Sequence, residues 1–289
     1  MSEQFKIAGW VRILSIIIPY LLVVGIFQLI GAALVDFDYG NLNVSKTSEQ
    51  KLIIQFFSFL GTSLVVFIFV KYIDKEKIID IGFQTRNRIN EFWTGLLVGF
   101  VIMLLAFGLL EIIDEIQFQE IIFKPKEIIL SILLFILVSF TEEILLRGYV
   151  LRNLMYSFNK YIALIISAIL FSLMHAWNPN IDTIGFSNIF LAGILLGITY
   201  IHTKNLWFPI ALHFSWNFFQ TIFGFNVSGQ NTYSAIKFSM DENTLLNGGS
   251  FGFEGSILSL IAIIITIVAI TKHYRSKKLI PKRIYKTNV

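Results

Sequence analysis

The chain has 289 residues, 55% of them hydrophobic and 15% charged, with a mean hydropathy of +0.72. A soluble domain is nearer a quarter charged and less apolar, so this balance excludes a soluble globular fold, a disordered chain and any large soluble appendage. The net charge of +4 is not gathered on one soluble face, which argues against a nucleic-acid partner, and the absence of Cys rules out disulfides, thiolate metal ligands and a cysteine nucleophile.

Taken in order, apolar runs predict helical spans at Gly9–Val35, Lys51–Ile73, Phe92–Ile113, Glu127–Tyr149, Tyr161–Trp177, Ile184–Ile201, Leu206–Phe223 and Gly252–Thr271. The first reads as a retained span and not as a cleaved signal, because no small-residue cleavage site follows it. No repeat or linker divides the chain. The expectation is a single all-α integral-membrane domain over residues 1–289, a bundle of about eight helices, with a motif-bearing core near 127–223. With both termini in the cytoplasm, 18 of the 23 Lys and Arg fall inside, and only Lys46, Lys51, Lys124, Lys126 and Lys237 fall outside. The positive-inside rule selects that orientation.

Between spans, Asp74–Glu91 mixes charge with Ile78, Ile79, Ile81 and Phe83 and is expected to lie on the cytoplasmic surface. Gly224–Gly255 is a long outward loop rich in Gly, Asn and Ser. The basic tail Lys272–Lys286 reads as a topology anchor, with specific anionic-lipid binding as the sharper alternative.

Ionisable residues inside spans are functional suspects by default. The fourth span carries Glu142, Glu143 and Arg147. Left unpaired at mid-membrane, the three would cost roughly 7–10 kcal/mol, while the large apolar residues ahead of them return only about 3–7 kcal/mol. They must therefore be paired or hydrated. Glu143 and Arg147 stand four apart and meet on one helix face; Glu142 is rotated about 100° away and stays free. Two of the four histidines also lie in spans: His175, and His213 with Asn217 one turn on. One carboxylate, two imidazoles and one carboxamide make a set suited to hydrolysis. A carboxylate or imidazole takes a proton from attacking water, and imidazole and amide N–H groups stabilise an oxyanion. Glu142, His175 and His213 could instead ligate a divalent metal such as zinc, although the chain lacks the HExxH spacing. A purely structural knot of Glu142, Glu143 and Arg147 is the bland alternative.

The motifs Glu142-Glu143-xxx-Arg147, Phe171-xxx-His175 and His213-xxx-Asn217, in that order, resemble those of the CPBP family. That family holds the type II CAAX prenyl endopeptidases and bacterial proteins of the Abi or bacteriocin-immunity type. The resemblance implies an intramembrane endopeptidase in which Glu142 and His175 activate water, His213 and Asn217 steady the oxyanion, and Glu143 and Arg147 brace the helix. Members are described both as metalloproteases and as glutamate proteases; a metal-free glutamate mechanism is favoured here, with no cofactor. The implied partners are the lipid bilayer and a membrane-associated peptide or protein, in a bacterial cytoplasmic membrane. The rival readings are a proteolytically silent scaffold or immunity protein, and a transporter, for which no internal symmetry speaks. His202 and His273 are placed at a helix end and in the basic tail, away from chemistry, and Glu254 at the head of the last span is read as incidental.

Overall fold

The computed structural model describes residues 7–40 and 45–279. Lys6, Lys282, Arg283 and Lys286, counted above on the inner side, lie outside the described residues. Eight helices follow one another among the described residues: α1 (Gly9–Leu34), α2 (Ser48–Ile73), α3 (Ile89–Ile112), α4 (Pro125–Ser157), α5 (Lys160–Met174), α6 (Thr183–Thr203), α7 (Trp207–Ile222) and α8 (Ile257–Leu279). The protein is an all-α polytopic membrane bundle. Two short strands, β1 (Gln117–Ile121) and β2 (Ile236–Ser239), pair antiparallel with a bulge between Phe118 and Glu120 and tie two loops together at one end.

Helix starts follow local chemistry. Thr47 and Gln50 form a reciprocal capping box on α2. Pro125 occupies the first turn of α4, where its missing N–H costs nothing. Asn159 caps α5 through Tyr161 N and Ile162 N, and Asp182 caps α6 through Gly185 N. Six helices are long and apolar enough to cross a bilayer. The other two, α5 with 15 residues and α7 with 16, reach only about 23 Å at 1.5 Å per residue. Two predicted boundaries move substantially. The fourth span continues past Tyr149 to Ser157, with Ile144–Leu151 wound as π-helix. The last begins at Ile257, so Gly252–Gly255 belongs to the loop.

Close helix contacts rest on small residues, as expected where lipid gives no hydrophobic drive between helices. A Cβ on Gly99 would lie 2.7 Å from the Trp216 backbone nitrogen, and one on Gly95 would lie 2.6 Å from the Phe208 carbonyl oxygen. That contact brings the backbones of α3 and α7 together.

Charged residues group at the two ends of the bundle. At one end, Asp74 is held by Arg12 Nη1 at 3.0 Å and Asn153 Nδ2 at 3.2 Å, while Arg152 pairs with Glu76. At the other, Lys51 donates to the Asn231 carbonyl and Lys126 pairs with Glu49 at 2.6 Å. The segment after α2 is more than a surface strip. Ile78 and Ile79 stay about two-fifths exposed, but Ile81 is fully buried over the α6–α7 turn. There Leu206 N donates to Gly82 O, Asn205 Nδ2 to Gln84 O, and Tyr200 Oη to Ile81 O. The start of α7 is thus sunk inside the protein without unwinding, which brings His213 to the depth of Glu142.

Candidate active site

The site sits where α4 changes from α to π winding. Glu142 and Glu143 are the last α-helical residues and Arg147 lies one turn into the π stretch. Such local rewinding is frequent at functional sites because it redirects side chains that regular winding would spread.

Glu143 and Arg147 meet as the spacing predicts, at 2.8 Å, and both are essentially fully buried. Arg147 Nη2 also donates to the Gly193 carbonyl of α6 at 3.0 Å, and the guanidinium lies 4.7 Å from the Phe171 ring centroid. Glu143 does more than brace its own helix. The same Oε1 that receives Arg147 lies 2.9 Å from His213 Nδ1 on α7. A brace between two turns of α4 is therefore also the partner that orients an imidazole on another helix. Nothing in a helical-wheel argument about α4 could reveal this, since it depends on how α7 docks.

Glu142 faces the other way, as expected. Its Oε2 is buried without a hydrogen-bond partner and lies 3.9 Å from His175 Nε2 and 3.8 Å from His213 Nε2. His175 is the first residue past α5, and its Nδ1 sits 2.9 Å from the Phe171 carbonyl oxygen. A carbonyl only accepts, so that nitrogen carries the hydrogen, and the Nε2 of the neutral ring presents a lone pair to Glu142. His213 Nδ1–H is committed to Glu143, so His213 donates from Nε2 only when both ring nitrogens carry protons. Asn217, 6% exposed and one turn beyond His213, lines the same chamber.

Glu142 Oε2 and the two Nε2 atoms have the donor chemistry of a zinc site, and each histidine has its second nitrogen hydrogen-bonded, as ligating histidines do. The spacing fits less well. Zinc bonds of 2.0–2.1 Å put tetrahedral ligand atoms about 3.3 Å apart, against 3.8 and 3.9 Å here. Among the described residues, no group of three or more such side chains has the geometry of a metal site.

The chamber holds about 760 Å³. Its walls come from α2, α4, α5, α6 and α7 with Gln28 of α1, and its far rim from Ser45, Lys46, Asn178, Pro179 and the segment Val227–Thr232. Glu254, expected to be incidental at a span head, proves to be a chamber residue. It is 8% exposed, and its Oε2 accepts from Ser228 N at 2.6 Å and Ser228 Oγ at 2.7 Å. Burial pushes its carboxyl above the usual carboxylate range despite those two bonds. The loop that carries it is closely fitted: Gly252 (φ +98°) would place a Cβ 1.9 Å from the Asn226 carbonyl oxygen. Its glycine-rich composition was visible in the sequence; its return into the chamber was not. Phe171 was likewise seen only as a motif letter, yet its ring packs against Arg147 and, tilted, against His175, and its carbonyl sets the His175 tautomer. His202 and His273 are not chamber residues. His202 lies in the last turn of α6, with its ring stacked on Tyr274.

Residues 124–219 match the family model for type II CAAX prenyl endopeptidase Rce1-like proteins, a segment of about a third of the chain that contains all three motifs. No curated protein matches the chain. The match makes this segment similar to the type II CAAX prenyl endopeptidases and leaves the rest of the chain unmatched.

Proposed function

From the similarity of residues 124–219 to that family and from the spans of the bundle, we propose that this integral membrane protein is an endopeptidase that hydrolyses a peptide bond of a membrane-associated peptide or protein, in a bacterial cytoplasmic membrane. The observation that carries this reading is the meeting of Glu142 Oε2, His175 Nε2 and His213 Nε2 within 3.9 Å inside a chamber large enough for a peptide segment.

With Nδ1–H of His175 fixed on Phe171, its Nε2 and Glu142 Oε2 are two acceptors facing one another. A water about 2.8 Å from each would donate one hydrogen to each. Glu142 takes a proton as the water oxygen attacks the scissile carbonyl, and the same carboxyl then gives it to the departing amine. His213 and the Asn217 carboxamide supply donors to the oxyanion. His213 does so as the doubly protonated ring, whose charge Glu143 balances from the Nδ1 side. Arg147, tied to Glu143 and to the Gly193 carbonyl, fixes that carboxylate in place. None of these steps uses a metal or a cofactor.

The test is a survey of new protein termini in membranes from cells carrying the wild type or Glu142→Gln, at matched protein levels. Termini that depend on Glu142 identify both the activity and its substrate. Identical surveys, with a deletion phenotype rescued by Glu142→Gln, would refute proteolysis and leave the scaffold reading in its place.

A further inference from the structure

The lining of the chamber reaches the loops at one end, and that end is opposite the basic one. Below Glu142, all eight residues Ile144–Leu151 are buried. Under them the Ile81–Leu206 contact closes the bundle, with both side chains fully buried and the backbone bonded from Leu206 N to Gly82 O. No residue of 74–91 or 203–209 lines the chamber. Toward the other end the lining climbs from His213 through His175, which already stands at the end of α5, to Asn178, Lys46, Gln230 and Asn231 in the loops.

The charge pattern says which side each end faces. The sealed end carries most of the chain's Lys and Arg, among them Arg12, Lys77, Arg86, Arg152, Lys204 and Arg275, while the open end has Lys46, Lys51, Lys124, Lys126 and Lys237. Short loops rich in Lys and Arg remain cytoplasmic.

We infer that substrate enters from the non-cytoplasmic face. The substrate class, which rests on the peptidase reading, is then a polypeptide segment presented on the outer side of the membrane: an exported peptide or the outer end of a membrane protein. A lipidated tail in the cytoplasm would meet the sealed end and could not reach Glu142.

The absence of Cys makes the test direct and independent of proteolysis. Four single-cysteine variants are expressed in bacterial cells: Asn231→Cys at the rim, Ala192→Cys on the α6 wall of the chamber, and Lys77→Cys and Arg86→Cys at the basic end. Intact cells are treated with a small, charged, membrane-impermeant methanethiosulfonate, and thiols left free are counted after solubilisation. Asn231→Cys and Ala192→Cys are expected to be blocked in intact cells. Lys77→Cys and Arg86→Cys are expected to be blocked only after permeabilisation. The reverse pattern overturns the orientation. An Ala192→Cys that resists reagent from outside while Asn231→Cys reacts overturns outward access. If both results are as expected but no terminus depends on Glu142, outward access stands and the peptidase reading alone fails.

Discussion

Replacing Glu143 separates the structural from the chemical work of this site. In Glu143→Ala, Arg147 keeps the Phe171 ring and, as its one hydrogen-bond acceptor, the Gly193 carbonyl, at a position that is 1% exposed. An uncompensated buried charge costs about 3–5 kcal/mol, a large share of the 5–15 kcal/mol that typically separates folded from unfolded protein. Glu143→Gln keeps the volume and one acceptor, and the loss falls to about 1–2 kcal/mol, the difference between charged and neutral hydrogen bonds. The chemistry suffers in both. With its carbonyl oxygen in the place of Oε1, the Gln still accepts from Arg147 and from His213 Nδ1, but the counter-charge for a doubly protonated ring is gone. Cleavage is expected to fall about 10²–10⁴-fold in Glu143→Gln, with the protein still folded. Unfolding in bilayers or mild detergent, followed by thermal melting, measures the stability part. The double variant Glu143→Ala, Arg147→Met removes both charges and should recover most of the stability lost in Glu143→Ala, with no activity. A Glu143→Ala protein as stable as wild type, or a double variant no better than the single one, would refute the argument that this pair is held by buried charge.

Other outcomes follow from the same geometry. Glu142→Gln should melt within about 0.5 kcal/mol of wild type, since Oε2 has no hydrogen-bond partner to lose, while cleavage falls about 10²–10⁴-fold; rates and melting curves on one preparation compare the two. Gly99→Val should cost about 1–3 kcal/mol and impair cleavage, because its Cβ would sit 2.7 Å from the Trp216 nitrogen, in the middle of the His213–Asn217 turn; thermal melting and residual activity check it. Asp74→Ala leaves Arg12 and Arg152 facing one another and should destabilise by about 3–5 kcal/mol, against a much smaller loss in Asp74→Asn. Glu254 has a raised carboxyl pKa, so the folded state binds more protons than the unfolded one above the ordinary carboxylate range. Stability should therefore fall as pH rises from the ordinary carboxylate value through the raised one, and Glu254→Gln should flatten that slope; melting temperature against pH shows it.

Much of the architecture could be read from the chain because the bilayer leaves few choices: an apolar run of span length must be a helix. The facing of Glu143 and Arg147, and the freedom of Glu142, followed from helical spacing alone. What could not be read depended on contacts between distant segments. The link from Glu143 to His213 needs the docking of α7, which is set by the small residues Gly95 and Gly99 on a third helix. The depth of His213 needs the Ile81–Leu206 contact, in a segment that its own charge marked as surface. Glu254 enters the chamber only because its loop turns back at positive φ and is bonded to Ser228. The run of π winding left no trace in composition or hydropathy.

That winding has a consequence for the whole of α4. Its upper half must aim Glu142 at α5 and α7, and its lower half must aim Arg152 and Asn153 at Asp74 beside α1. With regular winding these two demands fall out of phase, and the π stretch Ile144–Leu151 supplies the angular correction between them. Each residue contributes about 100° of rotation in an α-helix, so a single deletion within Ile144–Leu151 would not simply shorten the rod. It would turn one half against the other and force a choice between Glu142 aligned with the two histidines and a closed basic end. The spacing between these two sets of residues is therefore part of what the sequence must conserve, as much as the residues themselves.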